Sequence, residues 1–129
     1  MKYLLDTHTL IWAQDDPARL GGAAALALPD PNSELLVSMA TIWEIGVKVA
    51  IGKLKLSMSF RPWIEKAILD LDLIESPIRI DYIECQVGLP FHHRDPFDRL
   101  LAAQALVENL PLVSGDAIFD VYGVNRIWN

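Results

Sequence analysis

Lys2-Tyr3-Leu4-Leu5-Asp6 is a short apolar β run that ends on an acid, and Thr7–Gln14 behind it reads as a short helix. The same unit recurs along the chain. Residues 34–38 (Glu-Leu-Leu-Val-Ser) read as a strand, followed by a helix from about Met39 to Ile51 with Gly52 as its stop. Ile74–Ile78 is a weaker strand, interrupted by Pro77 and therefore short or near a sheet edge, and residues 80–88 after it are helical. The loop Leu89–Arg94 leads into a helix over 96–109, a strand over 111–114, a short helix after Asp116 and a last strand at Asn125–Trp128. Two further helices fill the gaps. Pro17 to about Leu28 is Ala-rich with Pro17 in its first turn, and 60–71 places Trp63, Ala67, Ile68 and Leu71 on one face. Strand–helix alternation of this kind predicts an α/β fold: a parallel sheet with helices on both faces.

Composition narrows the class. At 129 residues the chain reads as a single domain, 1–129, long enough for a substantial core. Hydrophobic residues make up 52%, too many for a disordered chain. No apolar run approaches the roughly 20 residues of a membrane helix, so no membrane association is expected. The first strand starts directly after Lys2, which leaves no room for a signal peptide. The single Cys85 excludes an internal disulfide and fits the cytoplasm. A net charge of −6 argues against holding nucleic acid by bulk electrostatics. A nucleic-acid substrate then requires metal ions and a few local cations at the phosphates.

The acids carry the functional signal. Asp6 ends the first strand, Glu44 sits within the apolar helical stretch Thr41–Val47, Asp98 opens the helix after Asp95-Pro96, and Asp116 follows the late β run Leu112-Val113-Ser114-Gly115. In a parallel α/β sheet, strand C-termini and adjoining helices converge on one edge. Four carboxylates meeting there repel one another unless a cation lies between them, and oxygen-only ligation suits Mg²⁺ or Mn²⁺. The pattern reads as metal-dependent phosphoryl transfer. Each acid also has a structural reading. Asp95 is a good N-cap, Asp98 then falls in a first turn where the helix dipole favours an anion, and Asp116 can cap a short helix. Glu44, about six residues past the probable cap Ser38, is beyond both effects.

Other polar residues are accessory candidates. Ser38, Thr41 and Ser114 lie beside the acids; Ser38 reads first as a helix cap. Asp95 and Arg99 flank the third acid, with Arg94 and Arg99 as possible phosphate contacts. His92 and His93 lack zinc-site spacing and read as a polar loop at the rim. Lys48, Lys53 and Lys55 read as a solvated face, and Trp12, Trp43, Trp63 and Trp128 as core or interface rather than stacking platforms.

Leu4-Leu5-Asp6-Thr7-His8, Ser38-x-x-Thr41-x-Trp43-Glu44-Ile45, Asp95-Pro96-Phe97-Asp98-Arg99-Leu100-Leu101-Ala102-Ala103-Gln104-Ala105 and Val113-Ser114-Gly115-Asp116 together resemble the motifs of PIN-domain ribonucleases, nearest to the VapC-like toxins of type II toxin–antitoxin modules. The resemblance spans nearly the whole chain. It implies an α/β/α sandwich around a parallel sheet, Mg²⁺- or Mn²⁺-dependent hydrolysis of RNA, homodimers and a cognate antitoxin, with Asp6, Glu44, Asp98 and Asp116 as the acidic quartet. Ser114 stands where Thr is common and keeps the hydroxyl. Two other classes stay open: an inactive binding module of this fold, and a phosphoacceptor or aspartyl-phosphatase domain with Asp6 as nucleophile. The second fits poorly, because His8 stands where a phosphatase wants an acid.

Overall fold

The computed structural model describes residues 1–129. Its elements follow in the order β1 (Lys2–Leu5), α1 (Thr7–Asp15), a 3-10 turn (Pro17–Arg19), α2 (Gly22–Ala27), β2 (Glu34–Ser38), α3 (Met39–Ala50), α4 (Phe60–Asp70), β3 (Leu73–Ser76), α5 (Ile80–Gly88), α6 (Pro96–Glu108), β4 (Leu112–Val113), α7 (Ile118–Val121) and β5 (Arg126–Ile127). All strand pairs are parallel, in the order β3-β2-β1-β4-β5, so β3 is an edge strand as the Pro77 interruption predicts. No helix is long and apolar enough to cross a membrane.

Alternation along the central strands divides the core. Leu5, Val37 and Val113 face a layer with Leu10, Ile45, Trp63 and Ala67, drawn from α1, α3 and α4. Leu4 and Leu112 face the other way, against Leu101, Ala102 and Ala105 of α6 and Phe119 and Tyr122 near α7. A two-residue side-chain period thus buries both faces of the sheet between helical layers. The expected α/β/α sandwich with a central parallel sheet is what the chain forms.

The helix expected over 17–28 does not form as one piece. Leu20 and Gly21 are extended, at φ −69°, ψ 141° and φ −64°, ψ 160°, and separate the Pro17–Arg19 turn from α2. The C-terminal segment causes the break. Trp128 lays its carbonyl against Gly21, where a Cβ would come within 2.3 Å of that oxygen, and the same carbonyl accepts from Ala24 N at 3.1 Å. Gly52 ends α3 at φ +74°, the left-handed stop read from sequence.

Candidate active site

From β1 the chain winds to β2 on one side, while β4 pairs on the other, so the sheet has its topological switch between β1 and β4. In open α/β sheets the crevice beyond the strand C-termini at this point is the usual ligand site. Asp6 and Ser114 occupy it, each directly following its strand.

Asp6 is nearly enclosed. Its Oδ1 accepts from Thr9 N at 2.8 Å and caps α1, and its Oδ2 accepts from Ser114 Oγ at 2.5 Å. Burial pushes its carboxyl above the usual carboxylate range, against the lowering effect of those hydrogen bonds. Ser114 Oγ also accepts from Asp116 N at 3.0 Å, so one hydroxyl ties the first acid to the backbone of the last.

Glu44 is 3% exposed, on the inner face of α3. Thr7 Oγ1 donates to its Oε1 and Lys48 Nζ, one turn further along α3, to its Oε2, both at 2.5 Å. Asp98 lies in the first turn of α6, where Asp95 caps the helix by accepting from Phe97 N at 2.8 Å and Asp98 N at 3.3 Å. His93 Nε2 sits 2.7 Å from Asp98 Oδ2. Burial above all, then the neighbouring Asp95 and Glu44, hold the Asp98 carboxyl up at about 6, although His93 pulls the other way.

Two triplets of ligand atoms result, each with its members within 4.8 Å of one another: Glu44, Asp95 and Asp98, and His93, Asp98 and Asp116. Asp98 is common to both. Asp6 belongs to neither; it meets Asp116 in the lining of a cavity of about 600 Å³. Asp116 is exposed, and its carboxylate accepts from Ile118 N at 3.1 Å in the turn before α7, whose N-cap position is Ala117. Of the four quartet residues, three thus share the linked triplets and the fourth adjoins through the cavity.

The accessory candidates divide. Ser38 caps α3 by accepting from Ala40 N at 3.1 Å, and Thr41 is buried in the same helix. Ser114 serves Asp6, and Asp95 is both a cap and a member of a triplet. Arg99 is corrected. It is 4% exposed, and its guanidinium donates to the carbonyls of Gln86, Leu89 and Pro90 while lying over the Phe91 ring. That arginine pins the 86–91 segment and has no free face for a phosphate.

Five residues contribute to the site beyond what their sequence context suggests. Lys48 is a partner of Glu44 rather than one of a solvated patch; the signal was its i+4 spacing from a buried acid. Thr7 follows Asp6 directly, and its hydroxyl turns to Glu44. His93 reaches the site rather than its rim alone. Trp12 and Trp128 line the cavity that holds Asp6 and Asp116, a placement no local pattern signals.

Comparison with known proteins bears on this arrangement. The family model described as PIN domain matches residues 3–125. Among curated proteins, sequence comparison finds no match. Among solved structures, the chain superposes on VapBC2 from Rickettsia felis bound to a DNA fragment from its promoter, with a TM-score of 0.71, 19% identity and 100% of both chains covered. VapBC-1 from nontypeable Haemophilus influenzae gives 0.65 at 19% identity, covering 98% of this chain and 97% of that one. VapBC-5 from Mycobacterium tuberculosis, described as a toxin–antitoxin system member, gives 0.61 at 21% identity over 98% and 95%. At such identities the likeness is one of fold.

Proposed function

Because the chain belongs to the PIN-domain family, we propose that it is a divalent-metal-dependent ribonuclease acting as the toxin of a type II toxin–antitoxin pair. The observation that carries this reading is the pair of ligand triplets joined at Asp98, beside the switch point of the sheet. Their donors are carboxylate oxygens and one imidazole, a set that fits Mg²⁺ or Mn²⁺. Glu44, Asp98 and Asp116 would hold the ion, with Asp6 acting from the adjoining cavity and Asp95 and His93 as further donors. When bound, such an ion neutralises the crowded acids and the phosphodiester and brings water toward ionisation near neutral pH.

The remaining work falls to this chain's own side chains. Thr7 and Lys48 fix both oxygens of Glu44, and Thr9 and Ser114 fix both oxygens of Asp6, so these two acids are set before substrate arrives. His93 Nε2 lies within hydrogen-bond distance of Asp98 Oδ2 and orients that carboxyl. The engagement of both Asp6 oxygens, with the residue only 6% exposed, disfavours the phosphoacceptor alternative, in which Asp6 must attack in line.

Partners follow from exposed apolar rows. Met39, Trp43 and Val47 repeat every four residues along α3 and are exposed, as is Leu26 on α2. We assign this face to an apolar segment of a cognate antitoxin. Ile80, Ile83 and Val87 form a second exposed row on α5, which we assign to a homodimer.

The test is cleavage of single-stranded RNA. The wild type should cleave with Mg²⁺ or Mn²⁺ and stop in excess EDTA. Asp98→Asn should lose roughly a hundredfold or more in rate and relieve the growth inhibition caused by expressing the wild type alone. Full activity in EDTA, or in the Asn variant, would overturn the metal mechanism, whereas no cleavage by the wild type with either metal would favour the inactive binding module.

A further inference from the structure

The cavity beside the acids has walls the hydrolytic reading leaves unused. Asp6 and Asp116 line one side; His8, Trp12, Arg19 and Trp128 line the rest. The rings are grouped. His8 and Trp12 have centroids 5.5 Å apart, Trp12 and Trp128 5.8 Å, and the Arg19 guanidinium lies 4.7 Å over the Trp12 ring. His8 and Arg19 are exposed; both indoles are half-buried, packed on the core on one side and lining the cavity on the other, so the group is a partly accessible wall with a fixed back.

The seat of Trp128 is built by two glycines. A Cβ on Gly115 would meet the Trp128 ring at 2.9 Å, and one on Gly21 would meet its carbonyl oxygen at 2.3 Å and its ring at 2.8 Å. Gly115 lies between Ser114 and Asp116, so the residue that lets the indole close on the cavity sits in the acidic turn itself.

We propose that this cavity is a nucleobase subsite: one unpaired base of a single-stranded RNA stacks against Trp12 and Trp128, and Arg19 meets its phosphate, next to the bond to be cut. The proposal rests on the ribonuclease reading and names the substrate feature read by the same site. The chemistry favours a nucleotide over a peptide. Stacked indoles accept any base π-face, and arginine on an aromatic wall is a recurrent backbone contact for single strands. With a net charge of −6 spread over the chain, Arg19 is the cation lining this cavity, which suits one phosphate rather than a long backbone track.

The four tryptophans supply an internal control. Trp12 and Trp128 line the cavity, Trp43 is exposed elsewhere and Trp63 is buried. In EDTA, where no cleavage occurs, nucleoside 5′-monophosphates titrated into ¹⁵N-labelled protein should shift the indole N–H resonances of Trp12 and Trp128 and leave those of Trp43 and Trp63 in place. Ribose 5-phosphate, which lacks a base, should bind at least fivefold more weakly. Arg19→Gln, an exposed substitution that spares the fold, should weaken monophosphate binding severalfold and adenosine binding little. Equal shifts at Trp43, equal binding of ribose 5-phosphate, or shifts from an arginine-containing peptide but not from nucleotides would each overturn the proposal, the last in favour of a protein occupant. Binding without cleavage in metal would sink the nuclease reading and leave the subsite standing, whereas cleavage without these shifts would do the reverse.

Discussion

Asp98 is where the opposing forces of the site can be read from one group. Its carboxyl is held up at about 6 in the fold, against the ordinary carboxylate value of 3.8. A raised folded-state value means the fold is most stable below about pH 4 with respect to this group and loses that stability as pH rises through 6. With the side chain 21% exposed, the loss is on the order of 2 kcal/mol. Asp6, whose carboxyl burial also raises, adds to the loss in the same sense. Asp98→Asn should therefore raise the melting temperature in EDTA at pH 7.5 by several degrees and hardly change it at pH 4, and Mg²⁺ should stabilise the wild type more than the variant. Thermal melts across this range check both. Destabilisation by the substitution at pH 7.5 would mean that the favourable place of the anion in the helix first turn outweighs crowding. Asp95 both caps α6 and crowds Asp98. Asp95→Ser keeps a capping oxygen and removes a charge, and should stabilise the metal-free protein at neutral pH where Asp95→Ala does not. The acids were legible in sequence because each stands at a strand end, a helix start or within an apolar stretch where charge is out of place. Lys48, His93 and the cavity tryptophans were not, because their meaning comes from partners brought near by the fold.

At the scale of elements, most boundaries followed from period, caps and stops. Ser38 and Asp95 each cap the helix expected of them, Asp6 caps α1 as well, and Pro77 marks an edge strand. The failure at 17–28 has a long-range cause: helix propensity in an Ala-rich run yields where the Trp128 backbone must pass. The last two strands pair over only two residues each, Leu112–Val113 with Arg126–Ile127, shorter than their apolar runs suggest. Gly21→Ala tests the explanation. Its Cβ would strike main chain rather than a movable side-chain tip, so the substitution should destabilise by roughly 1–3 kcal/mol, despite alanine's better helix propensity. A chemical denaturation curve measures this, and a stabilised variant would show that the break belongs to the local sequence.

For the molecule as a whole, the exposed row Ile80, Ile83 and Val87 leaves α5 without a neighbour on its outer side, while Tyr82 on its inner side is buried. The wild type should be dimeric at micromolar concentration by light scattering, and Val87→Asp monomeric with an unchanged melting profile at low concentration; a wild-type monomer would remove α5 as the interface. The order of the strands has a further consequence, in time. β1 is central and precedes both its neighbours, but one of them, β4, comes late in the chain, and the Ser114 hydroxyl that holds Asp6 lies 108 residues downstream of it. While the chain is being translated, Asp6, Glu44 and Asp98 therefore exist before Ser114, Asp116 and Trp128 do, and β1 has an open edge where its cleft will be. On the nuclease reading, the acidic quartet stays incomplete, and Asp6 lacks the hydroxyl that holds it, until β4 and the turn behind it have been made.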